Sequence, residues 1–245
     1  MAAGILSMFH IGRAGSTVLG DMLNQHPSIG WDSEIYATKR RLWLGQGDPV
    51  ALVQRRATLL RKRWYGFEVK AFHVRLIGWT LGDLVDAYRA GGPARFMVLR
   101  RENTLRKIVS TAVARVTGRF HLAGQSAAPP VPAAMVRVRI DPHAHFIDGE
   151  TRPLVEFLES FDRFHGSLDE ILASDDPLRL SYEADILGDP QRAYRATCRW
   201  LGEEPVPVVM RFARTTPFPL RDVIENYDDV ARALEGTRWA WMLGG

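Results

Sequence analysis

The run Gly12-Arg13-Ala14-Gly15-Ser16-Thr17 gathers groups suited to holding an anion. Its glycines let the chain turn tightly and bring backbone N–H groups toward a ligand. Ser16 and Thr17 add hydroxyl donors, and Arg13 adds a fixed charge able to bond phosphate in a two-pronged manner. The apolar run Ile5–Ile11 before it has the length of a buried strand. Ser16–Gln25 after it has a helical pattern, with Val18, Leu19, Met22 and Leu23 on one face, Ser16 or Thr17 as the cap and Pro27 beyond the end. Strand, turn and helix together aim the positive end of a helix at the same anion. A Walker A loop requires a lysine directly after its second glycine. Here Ser16 follows Gly15, so hydrolysis of ATP or GTP is disfavoured.

A second basic set lies at Arg100 and Arg101, after the predicted strand Arg95–Leu99. Open α/β sheets bind ligands at the carboxyl ends of their strands, which is where this pair stands. Asn103 can cap the next helix, whose apolar face is Leu105, Ile108, Val109, Ala112 and Val116. Ser110 follows Asn103 by seven residues, two helical turns, and so shares its side. The arginines and Ser110 can converge on one phosphate.

These blocks resemble the sulfotransferase family that uses the activated sulfate donor PAPS (3′-phosphoadenosine 5′-phosphosulfate). GRAGSTVLGDMLNQHPSI is similar to the family's 5′-phosphosulfate loop and following helix, and LRRENTLRKIVSTAVAR to its 3′-phosphate strand and helix. RLSYEADILGDPQRAYRATCRWLG and PLRDVIENYDDVARALEGTRWAWML resemble later blocks of the family in the same order. The likeness is best to the bacterial and the carbohydrate-, glycolipid- or tyrosine-modifying branches, where arginine stands in the lysine place of cytosolic members. It implies transfer of a sulfuryl group from PAPS to a hydroxyl of a glycolipid, saccharide or small-molecule metabolite, leaving PAP (adenosine 3′,5′-bisphosphate).

The resemblance also assigns roles. Gly12, Arg13, Ala14, Gly15, Ser16 and Thr17 bind the 5′ end of the donor, and Arg100 or Arg101 with Ser110 bind the 3′-phosphate. Arg13 in addition neutralises charge on the leaving phosphate oxygen. Glu34, 21 residues after Arg13, corresponds to the glutamate that accepts the acceptor's proton. His73, in KAFHV, is the alternative base, near the histidine of cytosolic members but one residue further from its lysine. Arg214 corresponds to a basic residue in a late loop over the 3′-phosphate. No metal is required, and His143 and His145 are taken as loop residues rather than a ligand pair.

These groups must be carried by a rhythm of strands and helices. After the first unit, Phe67–Val74 is predicted as a strand, and Leu81, Leu84, Val85 and Tyr88 as a helix face ended by Gly91-Gly92. Further on come a short strand at Val136–Ile140, a helix from about Arg152 to Ala173, a strand at Leu178–Tyr182, a helix at Gln191–Leu201 and an interrupted helical tail from Pro219 to Leu243. The expected fold is α/β: a P-loop-like three-layer sandwich with a central parallel sheet flanked by helices. It is expected as one domain over 1–245, with 118–150 as a lid or acceptor-specificity insertion. Trp31, Tyr36, Trp43, Trp64, Tyr65 and Trp79 are aromatic candidates for the acceptor pocket or the core.

The composition agrees with such an enzyme and narrows the rest. The chain has 245 residues, 46% hydrophobic and 24% charged, and no stretch with the length and apolarity of a membrane span. The first residues lack the basic region and cleavage site of a secretory leader, so the expected compartment is the cytoplasm. A single cysteine, Cys198, excludes an internal disulfide framework. A net charge of +4 without a clustered stripe is too small to argue for nucleic acid, which is not an expected partner, and suits a pocket for a small polyanion. RRATLLRKR at 55–63 is a solvated helix face that leaves room for a weak membrane-surface association. Two other functions fit part of the pattern: an inactive nucleotide-binding or regulatory protein, and a small-molecule kinase of the P-loop class.

Overall fold

The computed structural model describes residues 4–37, 48–120, 122–123, 135–213 and 215–244. In chain order the first elements are β1 (Gly4–His10), α1 (Ser16–Gln25), β2 (Ile29–Trp31), α2 (Pro49–Leu59), β3 (Trp64–Lys70), α3 (Ala71–Ile77), α4 (Leu81–Ala90), β4 (Ala94–Arg100) and α5 (Thr104–Thr117). Then come β5 (Leu122–Ala123), β6 (His145–Ile147), β7 (Glu150–Arg152), α6 (Leu154–Ile171), β8 (Leu178–Ser181), a π-helical turn (Tyr182–Ile186), α7 (Gln191–Trp200), β9 (Phe212–Ala213), α8 (Leu220–Val223), α9 (Tyr227–Leu234) and a 3₁₀ turn (Ala240–Gly244). The chain divides into two compact units: Met1–Arg100 with His165–Met210, and Arg101–Phe164 with Arg211–Gly245. Among the described residues no helix is long and apolar enough to cross a membrane.

The first unit holds a central five-stranded parallel sheet in the order β2-β3-β1-β4-β8, flanked by helices. Every residue of β1 is buried, as a strand with neighbours on both edges and helices on its faces requires. Alternation sorts its side chains. Leu6 and Met8, with Met97 and Leu99 of β4, pack against Leu19, Met22 and Leu23 of α1 and Ala193, Tyr194 and Cys198 of α7. The opposite parity is aromatic: Phe9 meets Phe96, and Phe67 meets Tyr36, Tyr65 and Tyr88. Tyr36, Trp64 and Tyr65 are therefore core residues, while Trp31 and Trp79 are half-buried. Trp43 lies outside the described residues.

Several details differ from the sequence expectation. The strand expected at Phe67–Val74 ends at Lys70, and Ala71 starts a helix. The Lys70 N–H donates to Nδ1 of His73, which caps that helix, and Gly78 at φ 72° ends it. Phe72 and Val74 suit either period, so alternation alone could not separate strand from helix. The cap of α1 is Gly15, in the left-handed region, and not Ser16 or Thr17. β2, only three residues long, is too short to leave a periodic pattern. The basic stretch after Arg55 is partly used by the fold: Lys62 Nζ donates to the carbonyls of His26 and Ile29 at 3.0 and 2.8 Å, and Arg63 pairs with Glu203.

In the second unit Leu105, Ile108 and Val109 of α5 and Leu154, Phe157, Leu158 and Phe161 of α6 are buried. Asn103 caps α5 as expected, its Oδ1 accepting from the Arg106 N–H at 3.0 Å. The strand expected at Val136–Ile140 is reduced to one bridge, Val138 with Ile224, because its partner is the turn after α8 rather than a strand. Within the expected insertion, β6 and β7 form a hairpin turned by Asp148 and Gly149 at φ 52° and 86°. An Asp-Gly pair is the ordinary signature of that turn.

Trp31 fills a slot in the first unit that only glycine leaves open. A Cβ on Gly66 of β3 would lie 2.2 Å from its Cε3, and one on Gly20 of α1 2.2 Å from its Nε1. Gly66→Ala is therefore expected to destabilise the fold by about 1–3 kcal/mol through overpacking. Urea denaturation checks this, and a loss below about 0.5 kcal/mol, the ordinary surface range, would contradict the slot.

Candidate active site

β1 delivers the chain to the anion loop. Gly12, Arg13 and Gly15 all have positive φ, at 84°, 55° and 86°. Left-handed residues in a short loop turn successive N–H groups inward, forming a concavity for an anion. Two of the three are glycines, where that conformation is unstrained; Arg13 bears a small strain of the kind that gathers at functional sites. A side chain at Gly15 would also collide with Ile186, 2.8 Å from the added carbon, so the π-helical turn backs the loop closely. Burial lowers the pKa of Arg13, while Tyr182 and Glu34 act electrostatically to raise it. Arg13 is thus a half-buried cation within the field of Glu34.

Glu34 follows β2 in a segment laid against β3. The Asp32 N–H donates to the Gly66 carbonyl, and the Glu68 N–H donates to the Ser33 carbonyl, both at 2.8 Å. Tyr65 donates to Asp32 at 2.9 Å, and the Tyr36 hydroxyl meets that of Tyr88 at 2.5 Å. Glu34 is thereby fixed between two pinned neighbours. Its carboxylate accepts a bond from Lys70 Nζ, and its other oxygen is 3.6 Å from His73 Nε2. Burial alone would raise the Glu34 pKa, but His73 and Lys70 outweigh it and hold the carboxyl well below the usual carboxylate range.

His73 is fully buried, with 0% exposure. Its Nδ1 accepts from the Lys70 N–H, so the ring proton belongs on Nε2, toward Glu34. Burial, with Lys70, lowers its pKa against the pull of Glu34, which keeps the ring neutral. Lys70 ends β3, beside the loop: a Cβ on Gly12 would lie 3.8 Å from its Cδ and Cε. Lys70 is not among the site residues expected from the sequence. Its place at the carboxyl end of a parallel strand was the available signal.

Beneath the loop lies a second missed group. Glu68, 2% exposed, accepts from Ser16 Oγ at 2.9 Å, from His10 Nε2 at 3.1 Å and from Trp31 Nε1 at 3.5 Å. His10 Nδ1 in turn accepts from the Gly12 N–H at 3.0 Å. Burial pushes the Glu68 pKa up, but His10 and Lys70 bring it below the ordinary value.

The remaining predicted residues are distributed as follows. Ala14 is buried, and Thr17 lies in the first turn of α1. Arg100, in the first unit, is bonded to the Asp169 carboxylate, which also accepts from Arg179 at 3.3 Å. Arg101, 6% exposed, and Ser110 belong to the second unit, where Ser110 Oγ lies 3.3 Å from Thr215 Oγ1. Arg214 lies outside the described residues. His145 is in β6, and among the described residues no group of three or more His, Cys, Asp or Glu is arranged to hold a metal.

No family model matches the chain, and no curated protein matches it. Among solved structures, the chain is similar to a sulfotransferase from Alicyclobacillus acidocaldarius, with a TM-score of 0.51 and 12% identity over 95% of this chain and 91% of the other. At that identity the likeness establishes a shared fold, a central parallel sheet flanked by helices, laid out as in that sulfotransferase.

The depressed Glu34 pKa gives a measurable consequence. Its folded value lies below the unfolded one, so its ionised form stabilises the fold above about pH 4.3, and this is lost as pH falls through the folded value. Lys70→Met should raise the Glu34 pKa toward the ordinary value, seen as an upward shift of its side-chain carboxyl titration by carbon-13 NMR. An unmoved titration would refute the Lys70 contribution.

Proposed function

We propose that this chain is a sulfotransferase that moves a sulfuryl group from PAPS to an alcohol hydroxyl and releases PAP. One juxtaposition carries the proposal: an ionised carboxylate, Glu34, bonded to Lys70 within the field of Arg13, beside a loop shaped for an anion. The loop is chemically suited to the donor's 5′ end, because its left-handed turn, its helix N-terminus and the Arg13 and Lys70 cations all favour anionic oxygen. The likeness in fold to a sulfotransferase supports the same assignment.

The donor supplies an activated S–O bond to phosphate, and its breaking leaves negative charge on the phosphate oxygen. Arg13, Lys70 and the loop N–H groups are the donors that take up this charge. Glu34 orients the acceptor hydroxyl and receives its proton as the new O–S bond forms. Its low pKa makes it a weak base, which suffices for a loose transition state dominated by positioning and charge stabilisation. His73, buried and 3.6 Å from the Glu34 carboxylate, is assigned a positioning role that acts through Glu34. Arg100 or Arg101, with Ser110, keeps the 3′-phosphate role that the sequence resemblance implies; of the two, Arg100 is bonded to Asp169.

Calorimetry with PAP, AMP and ATP tests the assignment. PAP is expected to bind best, and a preference for ATP or indifference to the 3′-phosphate would sink it. Glu34→Gln should reduce kcat about 10²–10⁴-fold and leave PAP affinity within about twofold. Full activity in that variant, with loss in His73→Ala, would move the base to His73. Arg101→Ala should weaken PAP about tenfold or more while sparing AMP, since a charged hydrogen bond is lost only from the 3′-phosphate.

A further inference from the structure

The transfer chemistry has no use for Glu68: its carboxylate is buried, and it faces donors of the protein itself. Yet a buried carboxylate under an anion-binding loop works against the loop's charge preference, and burying it is costly unless donors surround it. An apolar side chain would fill the space without opposing a bound anion. The hydrogen-bond pattern shows what the carboxylate does instead. Oε2 accepts from the Ser16 hydroxyl, in the first turn of α1, and from His10 Nε2, at the end of β1. With Nδ1 of His10 accepting from the Gly12 N–H, the ring is the tautomer that carries its proton on Nε2. The carboxylate is thus bonded directly to the exit of the loop and, through one imidazole, to its entrance.

We infer that Glu68 is a positioning residue for the anion loop: it fixes Gly12 through His10 and the start of α1 through Ser16, so that the Ser16 hydroxyl anchors the loop instead of contacting the ligand. Register makes this possible. In the parallel pairing of β1 with β3, His10 lies opposite Lys70 and Met8 opposite Glu68, so His10 and Glu68 stand on adjacent strands of one sheet face. Both are hydrogen-bonded at a site where a loop shift of about an ångström would misplace a bound phosphate. The inference rests on the sulfotransferase reading only for the identity of the ligand.

The test uses the whole chain with Ser16→Ala, Glu68→Gln and the double variant. A glutamine at 68 cannot accept from the Ser16–His10 side and the Trp31 side at once, so one set of bonds is lost. Hydrogen exchange of the ligand-free protein should show the Gly12 amide exchanging about tenfold faster in Glu68→Gln, with the Phe9 amide of β1 unchanged. PAP affinity should fall about tenfold in each single variant, and the double variant should be no more than about twofold worse than the weaker single, as for two partners in one interaction. KM for the donor should rise while kcat changes by less than about threefold.

An unchanged Gly12 amide overturns the inference. So does equal acceleration at Phe9, which would make Glu68 an ordinary core residue, and so does additivity on PAP affinity, which would place the Ser16 hydroxyl on the ligand. If the unsubstituted protein ignores PAP, the sulfotransferase reading falls, and the exchange measurement still decides the anchor by itself.

Discussion

A carboxylate out of reach of water must be surrounded by donors, and in this protein that requirement ties a strand, a loop and a helix together. The effective penalty for an uncompensated buried ion is several kcal/mol, comparable with the stability of a whole domain. Glu68 meets it with His10, Ser16 and Trp31. Each partner brings its own demand. His10 must end β1 on the face shared with Glu68, and Ser16 must open α1 directly after Gly15. Trp31 must bring its indole in close, which holds Gly20 and Gly66 to residues without a side chain. The shape of the anion loop is thus bound up with the packing of the sheet beneath it.

Two carboxylates at one end of the same sheet illustrate how environment divides labour. Glu68 is enclosed and spends its oxygens on fixed donors of the protein. Glu34 keeps part of its surface open and is balanced by a lysine and a neutral histidine, so it stays ionised over the physiological range. Lys70 and His73, three residues apart, both reach Glu34 because β3 gives way to α3 between them, and the His73 ring both caps that helix and faces Glu34. A single change from strand to helix therefore sets the electrostatics of the candidate base.

The second unit follows the same rule of satisfied burial with different groups. Lys107, nearly inaccessible on α5, donates to Asp148 at the tip of the β6–β7 hairpin at 2.7 Å and lies over the Phe161 ring. The C-terminal segment is held by polar contacts at defined points: Asn103 to the Met242 carbonyl at 2.8 Å, and Trp239 to Asp162 at 3.0 Å. These anchors hold down a segment of three short helical pieces, each too brief to be stable alone.

Local pattern alone determined much of this protein. The α/β rhythm, the strand–loop–helix unit around Gly12–Thr17 and the Asn103 cap are all written in neighbouring residues, because burial on two faces, left-handed turns and capping act over a few positions. Glu34 was singled out through likeness to known enzymes, and its setting among Lys70, His73 and Arg13 depended on chain folding back from distant positions. The end of β3 at Lys70 was beyond alternation, since the same apolar residues fit either period. Glu68 and His10 gave no signal at all: in sequence they are a lone glutamate and a lone histidine in apolar runs. Only the parallel register of β1 on β3 makes them partners, and register is set by packing across the whole sheet, not by the residues on either side.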